Sequence, residues 1–182
     1  ASALLPTIRS RCQILRFQPN AVGDVVERLV ERGVPQDRAT LIAAIAEGRI
    51  GAALEMAQSD VVALRDRVAA WIDELHPGAA GLRSVIRIGQ ALEEEKDRVG
   101  DYLNLMFLWL RDLVLFKEGA HEAIANQDAK DRLERQAART GVEGIAKAMR
   151  AVDRAAGALR NHANVRLTLD AMLTQVQRSL SP

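Results

Sequence analysis

The chain has 182 residues, of which 48% are hydrophobic but only 3% are aromatic, and its formal net charge is +1. A composition rich in Ala and Leu and poor in aromatic residues favours helices, because pleated sheets prefer aromatic and β-branched side chains. A nearly neutral chain has no general affinity for nucleic acid, so a DNA contact would require a local basic patch. The length allows one domain or two small ones.

The residues that could form metal sites, disulfides or membrane spans are few and widely separated. Cys12 is the single cysteine, which excludes an internal disulfide framework and leaves zinc without a thiolate set. His76, His121 and His162 lie far apart and show no metal-binding spacing. The most apolar stretch, residues 105–110, is far shorter than the roughly 20 residues that a membrane span needs. We therefore expect a cytoplasmic protein without a metal site or a membrane span.

Residues 4–17, with the sequence LLPTIRSRCQILRF, carry three arginines and no acidic residue. Pro6 suits the first turn of a short helix, and the alternating residues from Gln13 onward suit a strand. Arg11 lies at the joint, where its planar, permanently charged group could reach a phosphate beyond its own domain. The alternative is an ordinary surface arginine. Cys12 is interpreted as a small buried residue, because no histidine lies near enough in sequence to activate its thiol.

The tripeptide formed by Ser10, Arg11 and Cys12 follows a Leu-Pro pair and precedes the expected strand. This arrangement resembles the SRC motif of AAA+ clamp-loader subunits. The sequence LLPTIRSRCQ is more similar to the delta-prime branch of that family than to gamma/tau. The resemblance implies that Arg11 is an arginine finger that acts in trans on the ATP of an adjacent subunit. Such a finger stabilises charge on the transferring phosphoryl group and is worth about 10³ to 10⁵ in rate.

Residues 19–58 are predicted to form three short helices. Asn20 suits the N-cap of the first, which Gly33 and Pro35 end; the second runs over residues 36–46 and the third over 50–57. This module resembles the AAA+ lid, whose third helix carries a nucleotide-contacting arginine in members that hydrolyse ATP.

Family members that hydrolyse ATP show a pattern like GSLRDAL, whereas residues 48–54 of this chain are GRIGAAL. Gly51 occupies the arginine position, and Arg49, two residues earlier, is turned by about 200° around the helix. The departure implies a subunit that does not sense its own nucleotide. It favours delta-prime over gamma/tau.

The polar residues 58–60 mark a boundary, after which further helices are predicted. Asp60 suits the N-cap of a helix with one apolar stripe, and a second helix leads to an acidic run, residues 93–95, which is interpreted as a solvated face rather than a catalytic pair. The two stripes comprise Val61, Leu64, Val68, Trp71, Ile72 and Leu75, then Leu82, Val85, Ile86, Gly89 and Leu92.

The helix predicted over residues 97–117 is apolar nearly all round, so it should be covered on every side at the centre of its domain. Phe107 and Trp109 on this helix are interpreted as core residues rather than as a base-stacking platform, because no basic residues are interleaved with them.

The remaining residues predict three helices. Residues 128–140 predict a charged, mostly exposed helix. A near-heptad apolar seam follows Gly141 and suits packing on a partner helix, either within the chain or between chains. Asn164 suits the N-cap of the last helix. The seam comprises Val142, Ile145, Met149, Val152, Ala156 and Leu159, and the apolar positions of the last helix are Val165, Leu169, Met172, Leu173 and Val176.

The resemblance covers the whole chain and implies an all-α fold in three parts. These parts are the end of an AAA+ core (residues 1–18, a short helix and a strand), a three-helix lid (19–58) and an all-helical collar (59–182). The chain opens on Ala1 in mid-pattern and without a signal peptide, so we interpret it as a fragment. The family's nucleotide-binding core and zinc module would precede it.

By resemblance, the chain is a non-ATPase subunit of the bacterial sliding-clamp loader, within a DNA polymerase III holoenzyme whose DNA-directed DNA polymerase is a nucleotidyltransferase. Its implied partners are gamma/tau and delta subunits in a hetero-pentamer and, through the complex, the sliding clamp and primed DNA. ATP and Mg²⁺ would be bound by the adjacent subunit, and no cofactor by this chain. The last helix would hold the ring through Val165, Leu169, Met172, Leu173 and Val176. Two alternatives stay open: a gamma/tau ATPase fragment, and a helical adaptor unrelated to ATP.

Overall fold

The computed structural model describes residues 18–76 and 78–180, and all the regular structure in these residues is helical. The all-α prediction is therefore confirmed. The expected short helix and strand of residues 1–17 lie outside the described residues. The α-helices of the described part are α1 (Val22–Val30), α2 (Gln36–Ala46), α3 (Ile50–Ala57), α4 (Val61–Glu74), α5 (Ala79–Glu94), α6 (Val99–Lys117), α7 (Lys130–Ala137), α8 (Val142–Arg160) and α9 (Val165–Ser179).

Helices α1 to α3 pack against one another and form the N-terminal helix group. The predicted bounds of α2 and α3 are confirmed. Helix α2 ends because Glu47 and Gly48 both adopt left-handed backbone, with φ of 49° and 79°. The prediction for Asn20 is wrong, since it does not cap α1. Its backbone N–H and its side-chain Nδ2 both donate to the carbonyl of Gly48, at 3.0 Å each, and join the start of α1 to the turn after α2.

Arg38 of α2 closes this group at its other end. Its Nη2 donates to the carbonyl of Ala57 at 2.9 Å and to that of Ser59 at 2.7 Å. The last carbonyls of a helix have no partner within it, so Arg38 satisfies one of them and holds the connection to α4. Asp60 then caps α4 as predicted, accepting from the backbone N–H of Ala63 at 3.3 Å.

Helices α4 to α9 form the C-terminal helix group, with α6 at its centre. Helix α6 packs against α4, α7 and α8, and also meets α2 of the N-terminal group. Tyr102 and Trp109 are fully buried, but Gly100, Asp101, Asn104 and Phe107 form an exposed stripe, so the prediction that this helix is covered on every side is only partly correct. Phe107 is an exception to the core prediction. It is 39% exposed, because it faces a cleft between α2 and α8.

The apolar stripe of α4 is buried as predicted, but that of α5 is only partly so. Val85 and Leu92 are buried, whereas Leu82 is 53% and Ile86 is 48% exposed. The buried face of α5 is centred on Gly81, Val85, Ile88 and Leu92. Since successive helical residues are rotated by 100°, Leu82 and Ile86 lie a quarter turn outside that face.

The charged helix expected over residues 128–140 is shorter and more buried than predicted. It is α7, and its Leu133, Gln136 and Ala137 lie in the core. Gln136 is accommodated there because it accepts from Nε1 of Trp109 at 2.6 Å and donates to the carbonyl of Ala69 at 3.0 Å. Polar side chains are buried at little cost when both of their functions are satisfied.

Helices α8 and α9 form an antiparallel pair on one side of α6. The apolar seam of α8 packs against α6 and α9, so its partner helices lie within the chain. Asn164 caps α9 as predicted, accepting from the backbone N–H of Leu167 at 3.0 Å. Among the helices described, none has both the length and the apolar character needed to cross a bilayer.

Candidate subunit interface

Helix α9 has an inner side that belongs to the core of its own chain. Leu169, Met172, Leu173 and Val176 are buried on a helix that packs against α5 and α8. They are four of the five residues predicted to hold partner subunits; the fifth, Val165, is 36% exposed. A partner bound at α9 would therefore contact other residues of the helix, while these side chains maintain its position.

The outer side of α9 exposes an apolar residue near its start. Leu167 is 69% exposed, more than any other large hydrophobic residue described. Ala171, Thr174 and Arg178 follow it at helical spacing along the same side. Open grooves run along α9 on the side of α8, and one of them, of about 350 Å³, has a floor of alanines. The residues of that groove include Ala151, Ala155, Ala158, Leu167, Ala171 and Met172.

Helix α5 extends this surface. Leu82, Ile86, Gly89 and Glu93 are spaced i, i+4, i+7 and i+11, so they share one side of α5. That side faces α9, because a Cβ on Gly89 would lie 2.7 Å from Oδ1 of Asp170. Leu82 and Ile86 are exposed beside this contact, towards the C-terminal half of α9, because Gly81 approaches Gln177. We call the surface formed by Leu82, Ile86, Leu167, Ala171 and Thr174 the α5/α9 face.

An ion-pair network holds the two helices of this face together. Arg166 donates from Nε to Asp170 at 2.8 Å and from Nη1 to Glu93 at 2.9 Å. The bonds to these two carboxylates raise the pKa of Arg166. The α5/α9 face is therefore a pre-formed surface with partly exposed apolar side chains, as protein interfaces require.

The family comparison matches the same part of the chain. A family model described as DNA polymerase III, delta subunit, C terminal, matches residues 63–178, well over half of the chain. The chain belongs to this family.

A relative extends the similarity to nearly the whole chain. The chain is 26% identical over 176 residues to the DNA polymerase III subunit delta' of Bacillus subtilis (strain 168). The alignment covers 96% of this chain and 53% of that protein, so the chain spans about half the length of its relative. The predicted resemblance to delta-prime subunits is confirmed. No solved structure gives a significant match.

The acidic run of this family member is exposed at Glu93 and Glu94, as predicted, and half-buried at Glu95. Glu93 is bound to Arg166, and Glu95 accepts from Arg67 at 2.7 Å and from the hydroxyl of Tyr102 at 2.8 Å. The bond from Arg67, followed by that from Tyr102, lowers the pKa of Glu95. Burial and the same hydrogen bond raise the pKa of Tyr102 to about 12. These carboxylates bind separate partners, so they do not form an acid–base pair.

A buried polar network, which the sequence did not indicate, holds the connection between α6 and α7. Asp112 is buried, and its Oδ2 accepts from the backbone N–H groups of Ala125 and Asn126 at 3.0 and 2.9 Å. The amide of Asn126 donates to the same oxygen at 2.7 Å. Arg65 of α4 donates to Asn126 at 3.2 Å and to both carboxylate oxygens of Asp128. The network therefore has a structural role in this family member.

A second concave surface lies between the two helix groups. Phe107 contributes to a cleft of about 430 Å³ between α2, α6 and α8, whose rim carries Arg111 and Arg160 together with Glu47 and Asp153. Trp109 does not line this cleft but lies in the core, where it donates to Gln136. Since the rim charges are balanced and only one aromatic ring lines the described cleft, it lacks the basic, aromatic character of a base-stacking platform.

The residues predicted to act on ATP have different outcomes. Ser10, Arg11 and Cys12 lie outside the described residues, so the arginine finger stays a prediction. Gly51 is exposed with open space around it, and Nε of Arg49 donates to the carbonyl of Ala46 at 3.0 Å. In residues 18–76 and 78–180, no group of three His, Cys, Asp or Glu side chains could hold a metal ion.

Proposed function

We propose that the chain is the C-terminal part of a delta-prime-like, non-ATPase subunit of a bacterial sliding-clamp loader, which acts in DNA replication in the cytoplasm. The observation that carries this proposal is the family match to residues 63–178, the segment that contains the α5/α9 face. The similarity to the Bacillus subtilis delta' subunit over 96% of the chain supports it further. Gamma/tau and delta subunits would be its partners, with the sliding clamp and primed DNA reached through the complex.

We propose the following division of labour along the chain. Residues 1–18 would end an AAA+ core, residues 19–58 would form the lid, and residues 59–182 the collar that joins the subunits. The mutual packing of α1 to α3 supports the lid, and the bonds from Arg38 to residues 57 and 59 support a boundary there.

Arg11 would act in trans as an arginine finger on the ATP and Mg²⁺ of the neighbouring subunit. A subunit with this role would not need to sense a nucleotide of its own. In agreement, Gly51 stands at the position of the expected arginine, and Arg49 bonds to the carbonyl of Ala46 at the turn before α3. A planar guanidinium suits the charge that develops on a transferring phosphoryl group.

The finger is tested by replacing Arg11 with Ala in the intact subunit and reconstituting the complete loader. We expect DNA-stimulated ATP turnover to fall by about 10³ at the one site that Arg11 serves, with assembly unchanged. Arg16→Ala removes the same charge nearby and serves as the matched control. Unchanged turnover in the Arg11 variant would favour the helical adaptor over the clamp-loader subunit.

The α5/α9 face would be the collar surface that contacts a neighbouring subunit. Leu82, Ile86 and Leu167 are exposed on a surface that the helices of the chain already hold in shape. Burying them against a partner would contribute favourably, at about 25 cal/mol per Å² of apolar area.

The collar surface is tested with Leu167→Asp and Ile86→Asp in the intact subunit. We expect both variants to fold normally and to stop co-eluting with gamma/tau and delta in size-exclusion chromatography, because a charge would be buried without a partner. Val30→Asp makes the same change at an exposed apolar position of α1. Normal co-elution of both collar variants would contradict the proposal. Leu169→Glu is not a suitable test, since Leu169 lies in the core and its loss would unfold the chain.

A further inference from the structure

A row of positive charge lies beside the α5/α9 face on the outer side of α8. Lys147, Arg150 and Arg154 occur at i, i+3 and i+7, and all three are exposed. Arg178 of α9 is also exposed, and it lines the same groove as Lys147. We call these four residues the α8/α9 cationic row.

Most of this row is not neutralised by the chain itself. Lys147 pairs with Glu143 at 2.8 Å; that bond lowers the pKa of Glu143, and the nearby positive charge of Arg150 adds to the shift. In the part of the chain that the structure describes, no carboxylate forms an ion pair with Arg150, Arg154 or Arg178. Arg154 donates to an amide, that of Gln175, at 2.8 Å. The row is therefore a local excess of positive charge on a chain whose net charge is +1.

The shape next to the cationic row fits a helix. The groove between α8 and α9 is lined by small alanine side chains, with Leu167 exposed on its α9 side and the hydrogen bond from Arg154 to Gln175 joining the two helices. Small residues let another helix approach closely, and an amphipathic helix binds such a groove through apolar residues at helical spacing. An aromatic platform, which single-stranded nucleic acid would use for stacking, does not line the described groove.

We propose that the groove between α8 and α9 binds an amphipathic helix with acidic side chains, supplied by a neighbouring clamp-loader subunit. This proposal rests on the proposed function and specifies the chemistry of the partner. The apolar side of that helix contacts Leu167 and Ala171, and its carboxylates pair with Arg150, Arg154 and Arg178. Complementary charge of this kind accelerates association and selects among partners, and its effect falls with salt.

The test is the double charge reversal Arg150→Glu with Arg154→Glu in the intact subunit, measured as binding kinetics to the partner subunits over a range of salt concentrations. We expect affinity to fall by about tenfold at low salt, mainly through slower association, and the salt dependence to flatten. The matched control is Arg32→Glu with Arg135→Glu, which changes the same charge at exposed positions elsewhere. Thermal denaturation verifies folding, and the paired Gln variants replace the reversal if it fails to fold.

The outcomes separate this proposal from the proposed function. Unchanged affinity and salt dependence in the double variant, with assembly lost in Leu167→Asp, would overturn the acidic helix and leave the collar surface intact. Unchanged assembly in both would overturn both. If the double variant lost binding to a labelled DNA oligonucleotide while its association with the subunits was unaffected, the proposal would also be overturned, because the cationic row would then bind nucleic acid.

Discussion

The two helix groups are held together by different means. In the N-terminal group the core consists of small or aliphatic residues, such as Ala39, Ile42 and Ala43, and the helices are joined by short turns. The C-terminal group contains every buried polar side chain among the described residues: Arg65, Asp112, Asn126, Gln136, Thr140 and Gln177. In the N-terminal group, single side chains such as Asn20 and Arg38 bond to carbonyls at its short turns, whereas the long connection between α6 and α7 is fixed by a buried network of several side chains.

The largest effect should follow from Asp112→Asn. The amide oxygen of Asn can replace Oδ2, which accepts from Ala125 and Asn126, but the amide NH2 then faces the guanidinium of Arg111, which bonds to Oδ1 at 2.9 Å. We expect a loss of about 3 kcal/mol in the free energy of unfolding, since Arg111 loses its carboxylate partner and the three bonds at the other oxygen are no longer charge-assisted. Urea denaturation measures it, and Asp153→Asn, at an exposed position, should change stability by less than about 0.5 kcal/mol. Equal effects of the two variants would contradict a role for buried polar groups.

A smaller effect, of opposite sign in the two groups, is expected from glycine-to-alanine substitutions. A Cβ at Gly81 of α5 would clash with the carbonyl oxygen of His76, so Gly81→Ala should cost about 2 kcal/mol. Gly51 of α3 has open space, so Gly51→Ala should stabilise by up to about 1 kcal/mol through helix propensity. Thermal denaturation compares them, and destabilisation by both would mean that the N-terminal group is also tightly packed.

Arg38→Met should affect the N-terminal group alone. It removes the bonds to the carbonyls of Ala57 and Ser59 while keeping most of the apolar stem, at a cost of about 1.5 kcal/mol. Hydrogen exchange should show reduced protection of the α3 amides and unchanged protection in α6. Arg32→Met, at an exposed position, is the control. Loss of protection across both groups would show that they unfold as one unit.

The smallest expected effect is the loss of stability when the ion pair between Asp128 and Arg65 in the C-terminal group is removed. The hydrogen bond from Arg65 holds the pKa of Asp128 below its ordinary value of 3.8. The pKa of Asp128 is lower in the folded protein than in the unfolded chain. Ionised Asp128 therefore stabilises the fold fully at pH values above the unfolded-state pKa, and this contribution is lost as the pH falls through the folded-state pKa. Asp128→Asn should cost about 1 kcal/mol at neutral pH, discounted because Asp128 is partly exposed.

The measurement for Asp128 is urea denaturation of both proteins at neutral pH and at about pH 3. The difference between them should begin to shrink as the pH falls below the unfolded-state pKa of Asp128, and should vanish only below its lower, folded-state pKa. If the difference in unfolding free energy between the two proteins stayed constant with pH, the effect of the substitution would come from packing rather than from the charge of Asp128.

The sequence predicted the features that depend on neighbouring residues. The bounds of α2 and α3 and the caps Asp60 and Asn164 were correct, because turn residues and caps act over a few positions. Asn20 also has the chemistry of a cap, but it bonds to Gly48, which is distant in sequence. The helix that contains Gln136 was predicted to be mostly exposed, and the burial of Gln136 could not be foreseen because its partners, Trp109 and Ala69, lie on helices distant in sequence.

The candidate interface shows the same limit. Apolar periodicity identified which residues of α5 and α9 face inward or lie near that side, but it could not separate Val85, which is buried, from Ile86, which is exposed. A quarter turn of the helix decides that difference, and the neighbouring helix sets the turn. The apolar residues predicted to contact partners were for the same reason found mostly in the core, with Leu167 on the outer side.

The sequence by itself therefore determined the helical class, most of the helix ends and the kinship with delta-prime subunits, since these are recorded in local propensity and in residue patterns. Only the tertiary structure decided which apolar residues are covered, which polar residues are buried in pairs, and where the cationic row lies. The physical reason is that burial and pairing are properties of surfaces that meet across the fold, and they are defined once the helices are packed.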